Sequence, residues 1–146
     1  MKQKVLSIAL GGFMLAAMLA PTIAEASSKV FYWSFDMDLR AVDGSRNGMY
    51  YDLNKGDIDV SGQIWPDKQG VNVRPVSVFV ELWRDTLGAD TYVGGRTVVP
   101  SSTVGTRTKF SFSADGQPAD QYYLYFSKAE DDYWDLRGSG SILNDY

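Results

Sequence analysis

The sequence predicts an all-β fold, an antiparallel β-sandwich or small barrel of seven to eight short strands, on three observations. Apolar and polar residues alternate with a period of two along most of the chain after residue 27, the mark of half-buried strands. Clusters of Gly, Pro, Asn and Asp punctuate these runs at short intervals, as turns between strands do. No stretch of 10 or more residues beyond the N-terminal segment carries the rhythm of an amphipathic helix.

The N-terminal segment stands apart. Lys2 and Lys4 open it, an apolar run extends from Val5 to Ala20, Pro21 breaks that run, and Ala24-Glu25-Ala26 offers small residues two apart. Positive charge, apolar stretch and small-residue site in that order are the pattern of a secretory signal peptide, here residues 1–26. A membrane anchor needs about 20 apolar residues; this run has 16 and includes Ser7, Gly11 and Gly12. The expectation is export, to the extracellular space or the cell envelope, of one β-sandwich domain at residues 27–146. A domain of 120 residues buries roughly two thirds of its unfolded surface without covalent staples, in keeping with the absence of Cys. An exported chain with no cysteine also suits a bacterial source.

The first alternating run begins at Val30. Phe31, Trp33, Phe35, Met37 and Leu39 point one way, and Tyr32, Ser34, Asp36, Asp38 and Arg40 the other. Asp43-Gly44 and Asn47-Gly48 are turn dipeptides, so Met49 to Leu53 reads as a hairpin return. After Asn54-Lys55-Gly56, residues Ile58, Val60, Gly62 and Ile64 alternate with polar partners until Trp65-Pro66 stops the run. Val76 to Trp83 is apolar on both faces, which predicts a central strand. Further runs cover Thr91 to Val99, Arg107 to Ser113, Gln121 to Lys128 and Tyr133 to Leu143. Pro66, Pro75, Pro100 and Pro118 are expected between strands, because proline cannot donate to a ladder.

Composition removes most catalytic chemistry. With no His and no Cys there is no Ser-His-Asp or Cys-His triad, no imidazole base and no zinc site of the usual ligands. Fourteen Lys and Arg face eighteen Asp and Glu, a net charge of −4. For residues 27–146 the balance is 12 against 17, or −5, which leaves no basic footprint for nucleic acid. The same charge opposes insertion into anionic lipid, although Val30 to Val42 and Asp57 to Ile64 have the period of a membrane-inserting hairpin.

The carboxylates offer two candidates. Glu81 lies between Phe79 and Trp83 on its own strand face, where desolvation could raise its pKa as in a hydrolase acid. The plainer reading is an ion pair with Arg or Lys across the sheet. Glu130-Asp131-Asp132, with Asp135 nearby, could hold a structural calcium ion, against the plainer reading of a solvated acidic turn. Asp52-Leu-Asn-Lys-Gly-Asp57 begins like a calcium loop, but Gly56 and Asp57 stand in reverse order and no glutamate closes it. No metal ligand or catalytic residue is assigned, and no other cofactor is indicated.

Aromatic residues are the strongest signal, with 19 of the 20 lying in residues 27–146. In Gln121 to Phe126, Tyr123 and Tyr125 share one face while Tyr122, Leu124 and Phe126 share the other. Exposed Tyr and Trp among polar residues stack on sugars or anchor protein interfaces. Trp65, Trp83, Tyr123 and Tyr125 are the candidate ligand-binding residues, and Tyr32 and Tyr133 are further candidates for exposure. The expected function is non-catalytic binding of an extracellular glycan or protein by an aromatic-bearing sheet face or its loops. The alternative is a secreted effector, such as an enzyme inhibitor or an antimicrobial or membrane-active protein.

Overall fold

The computed structural model describes residues 26–71 and 74–146, so the signal-peptide expectation for the segment up to residue 25 lies outside the described residues. Among the described residues there is no helix, and nine strands follow one another: β1 (Ser28–Met37), β2 (Ala41–Asp43), β3 (Tyr51–Leu53), β4 (Gly56–Lys68), β5 (Val78–Arg84), β6 (Thr91–Val98), β7 (Thr108–Gln117), β8 (Asp120–Lys128) and β9 (Asp135–Asp145). All pairings are antiparallel. One sheet runs β1-β9-β4-β7; the other runs β2-β8-β5-β6, with β3 on the same edge of β8 as β2. Most connections cross between sheets, and the outer pair of each sheet comes from distant parts of the chain. This is the double Greek-key order of a jelly-roll sandwich.

The core forms where the inward residues of the two sheets meet. From the first sheet come Trp33, Phe35, Met37, Ile58, Val60, Ile64, Phe110 and Ile142; from the second come Tyr51, Leu53, Val78, Val80, Leu82, Tyr122, Leu124 and Phe126. Rings bridge the layers, with Phe126 4.2 Å from Phe35 and 5.3 Å from Trp33 between centroids, and Phe31 5.7 Å from Tyr51. Trp33 is paired in register with Gly140, which is paired with Gly62. Added Cβ atoms at Gly62 and Gly140 would both run into the Trp33 ring, and one at Gly138 would run into Phe35. The glycines are therefore the floor on which the two β1 rings lie.

Three features depart from the sequence expectation. Leu39 is exposed, because β1 ends at Met37 and the chain turns before the alternation is used up. Tyr51–Leu53 does not return as a hairpin: it pairs with β8, and so does Ala41–Asp43, so that the 44–50 loop interrupts a single edge. Pro66 lies inside β4 rather than after it. At that point β4 is paired with β9 alone, since β7 ends opposite Ile64, and an edge position tolerates a residue without N–H. β5 is central as expected, between β8 and β6, and its outward Phe79 is exposed.

If the glycine floor sets the sheet geometry, Gly140→Ala must displace Trp33 or push against the Ser61 carbonyl oxygen. The expected loss is at least ~2 kcal/mol, by the usual cost of overpacking a core. Urea denaturation of the variant beside Gly116→Ala, which meets nothing within 4 Å and is strained only by its φ of 62°, checks this; the surface variant should lose less.

Candidate ligand-binding face

The outward residues of β8, β5 and β6 fall into rows across the second sheet. Trp83 is opposite Tyr123 on one side and Tyr92 on the other; Glu81 is opposite Tyr125 and Gly95; Phe79 is opposite Ser127 and Thr97. Directly opposed residues share a face, so Phe79, Glu81, Trp83, Tyr92 and Tyr125 form one surface. A β-bulge between Leu82 and Trp83 sets its composition. It places Tyr92 instead of Val93 opposite Trp83, and Val93 packs against the core. Bulges commonly re-aim a side chain in this way.

The rings are arranged around Glu81. The Trp83 indole Nε1 donates to Glu81 Oε2 at 3.1 Å. Tyr92 meets Trp83 edge to face, 5.5 Å between centroids and 72° between planes. Tyr92 and Phe79 are 51% and 39% exposed, whereas Trp83 and Tyr125 are half-buried. Gly95 forms the floor: a Cβ there would come within 2.5 Å of the Val80 carbonyl oxygen and 3.1 Å of the Tyr92 hydroxyl. The result is a shallow depression of about 120 Å³ lined by Phe79, Val80, Glu81, Tyr92, Gly95, Arg96 and Thr97.

The four sequence candidates separate. Trp83 and Tyr125 are on this face. Tyr123 points the same way but is buried, because Tyr50 stands edge-on to it at 6.0 Å and its hydroxyl donates to Asp90 Oδ2 at 2.8 Å. Burial, followed by that hydrogen bond, pushes its pKa upward, so the phenol stays a neutral donor. Trp65 lies on the outer side of the other sheet, with the Arg107 guanidinium 4.4 Å from its ring centroid, beside a depression of about 520 Å³ that also takes in Ser34, Asp36 and Arg137. Sequence reasoning missed Phe79, Tyr92 and Gly95 as site residues. The Gly94-Gly95 pair inside an alternating run was the available signal, since glycine within a strand often marks a bulge or a close approach.

Glu81 takes no cation: among the described residues its partner is the Trp83 indole, in place of the expected ion pair. The acidic turn also differs from expectation. Asp132 is fully buried and bonds Lys128 Nζ at 2.5 Å, also buried, and accepts from the amides of Val76 (2.6 Å) and Trp134 (3.1 Å). Asp131 accepts instead from the Tyr133 amide. Asp52 and Asp57 are likewise divided, the first accepting from Gln121 and the second from the Gly116 amide. No group of three or more acidic side chains suited to a metal ion occurs among the described residues.

No protein-family model and no curated protein matches the chain. Among solved structures it is similar to infectious bursal disease virus, Gx strain, at 13% identity and a TM-score of 0.49, over 96% of this chain and 37% of that one. It is similar also to the VP2 subviral particle of the same virus, at 12% identity and a TM-score of 0.47, over 94% and 37%. The chain thus spans little more than a third of the length of these proteins. The sandwich itself rests on the strand order described above.

The Lys128–Asp132 pair makes a testable demand on stability. Burial alone would raise the Asp132 pKa, but the Lys128 hydrogen bond, the two amides and the Lys128 charge together outweigh it and hold the carboxyl below its ordinary value. A depressed folded pKa means that the pair's contribution is complete above the unfolded aspartate value of about 3.9 and is lost as pH falls through the lower folded value. Urea midpoints should therefore drop below about pH 4, and Asp132→Asn should lack that part of the drop. At neutral pH, Asp132→Ala strands a buried ammonium and should cost about 3–5 kcal/mol.

Proposed function

We propose that the chain is a secreted, non-catalytic binding protein that recognises an extracellular glycan or protein through the outer face of β8, β5 and β6. The observation that carries this reading is the placement of Phe79 and Tyr92, two large exposed rings carried on strands, the interior β5 and the edge strand β6, and not on loops. Rings on strands are held in place before a ligand arrives, so little side-chain freedom remains to be lost on binding. Their amphipathic neighbours, Trp83 and Tyr125, extend the contact area, and Glu81 and Thr97 supply the polar groups that would orient a ligand.

The chemistry of the face supports recognition over catalysis. One carboxylate, Glu81, lines the depression, whereas glycoside hydrolysis uses two about 5–10 Å apart. The sequence supplies neither imidazole nor thiol. Export is supported by the order of charge, apolar run and small residues in residues 1–26.

Affinity electrophoresis through a panel of polysaccharide gels, together with capture of extracellular proteins on the immobilised chain, tests the reading. Phe79→Ala and Tyr92→Ala should each weaken the interaction about tenfold, as truncation of an interface aromatic does. Trp65→Ala, on the other sheet, should leave it unchanged. A ligand that binds both face variants with full affinity would overturn the assignment.

A further inference from the structure

Glu81 is the point on this face where charge remains unspent. One of its oxygens accepts from the Trp83 indole at 3.1 Å, and no donor reaches the other among the described residues. The cations of β5 and β6 are directed elsewhere. Arg84 pairs with Asp120 at 3.9 Å, and Arg96, which also lines the depression, donates to the Ser111 carbonyl on the opposite sheet at 3.2 Å and forms no ion pair with Glu81. A carboxylate beside Phe79, Trp83 and Tyr92 that has no ion-pair partner among the described residues is the electrostatic complement of an ammonium group, which is attracted both to the charge and to the negative faces of the rings.

Shape narrows the ligand further. Trp83 and Tyr92 stand 72° apart, so they form a corner and not the flat platform on which a sugar ring would stack. The depression of about 120 Å³ is well below the ~300–1,000 Å³ that houses a drug-sized ligand; it accommodates a group of a few heavy atoms. Because Trp83 already occupies one carboxylate oxygen, the planar fork of a guanidinium cannot engage both, and a point-charge ammonium fits better. The net charge of −5 over residues 27–146 draws polycations from a distance.

We propose that the depression over Gly95 receives a lysine side chain of a basic, extended peptide segment, with Glu81 as counter-ion, Phe79 and Tyr92 as its walls, and Trp83 holding the other Glu81 oxygen. The inference rests on the reading of this face as a binding surface and names the ligand chemistry within it.

The test is an amide-resolved NMR titration of the folded protein with a capped Gly-Lys-Gly-Lys-Gly peptide and with the same peptide acetylated on both lysine side chains. The lysine peptide should shift the amides of Glu81, Tyr92 and Gly95, weaken as salt is raised from 50 to 500 mM, and lose at least tenfold in affinity in Glu81→Gln. That variant keeps a side-chain oxygen to accept the Trp83 N–H, so the face remains intact. Equal binding of the acetylated peptide, or unchanged affinity in Glu81→Gln, would overturn the proposal. If a neutral oligosaccharide then shifts the same amides and Tyr92→Ala abolishes the effect, the binding face survives without the lysine. If neither peptide nor oligosaccharide moves those amides, both readings fall.

Discussion

Two aromatic rings lying over glycine hold this sandwich in register. Trp33 and Phe35 run parallel, 6.3 Å apart and 8° from coplanar directions, and each covers a glycine on the neighbouring strand β9. Trp33 reaches one strand further, over Gly62 of β4. A ring laid along the sheet instead of standing away from it covers backbone on three strands at once, and it leaves room above for Phe126 of the opposite sheet. Burying such a ring is worth roughly 4–6 kcal/mol before conformational entropy is counted. A one-residue slip of β1 would bring Ser34 to the glycine floor and turn Trp33 to solvent, so the same contact that stabilises the core also excludes the wrong pairing.

That constraint explains how the outer face of β8, β5 and β6 can be rigid without disulfides. β8 and β5 are the interior strands of the second sheet, and their inward residues Leu124, Phe126, Val80 and Leu82 are locked against the β1 rings and their neighbours. Alternation then fixes where the outward residues stand. Tyr125, Glu81 and Trp83 are placed by the same backbone that packs the core, and the bulge adds Tyr92 to their row. At the other end of β8 the buried Lys128–Asp132 pair ties the strand to the Val76 amide ahead of β5. Removing either partner would leave an uncompensated charge in the interior, so the pair and the amides it engages hold the end of β8 to the segment ahead of β5.

The architecture was largely legible in the alternation, because a period of two is a direct consequence of a sheet with one face in water. Val78, Val80 and Leu82 turn inward as their pattern requires. What alternation cannot encode is which strands become neighbours. Tyr51–Leu53 follows a pair of turn dipeptides, and local chemistry favours a hairpin, but the edge of β8 buries Tyr51 and Leu53 against the core and wins. The site was legible as a composition of rings and carboxylates more than as a constellation. Tyr123 and Tyr125 are equivalent in the sequence; only Tyr50 and the Asp90 loop distinguish them. Tyr92 was hidden by the bulge, which shifts the alternation by one residue in the middle of a strand.

Exposed rings on a sheet carry a hazard, since flat apolar surface invites a second copy of the same sheet. Glu81 stands between Phe79 and Trp83, the position at which a charge most effectively interrupts a contiguous apolar patch. Two such faces brought together would oppose like charges across a dry contact, a strongly unfavourable arrangement. The charge that would oppose such pairing is thus also the one that would attract a cation. A surface built for neutral ligands alone could have used Gln or Thr at the centre of the rings and kept the same hydrogen bond to Trp83. The choice of a carboxylate is explained most economically when exclusion of like faces and selection of a positive partner are two consequences of one charge.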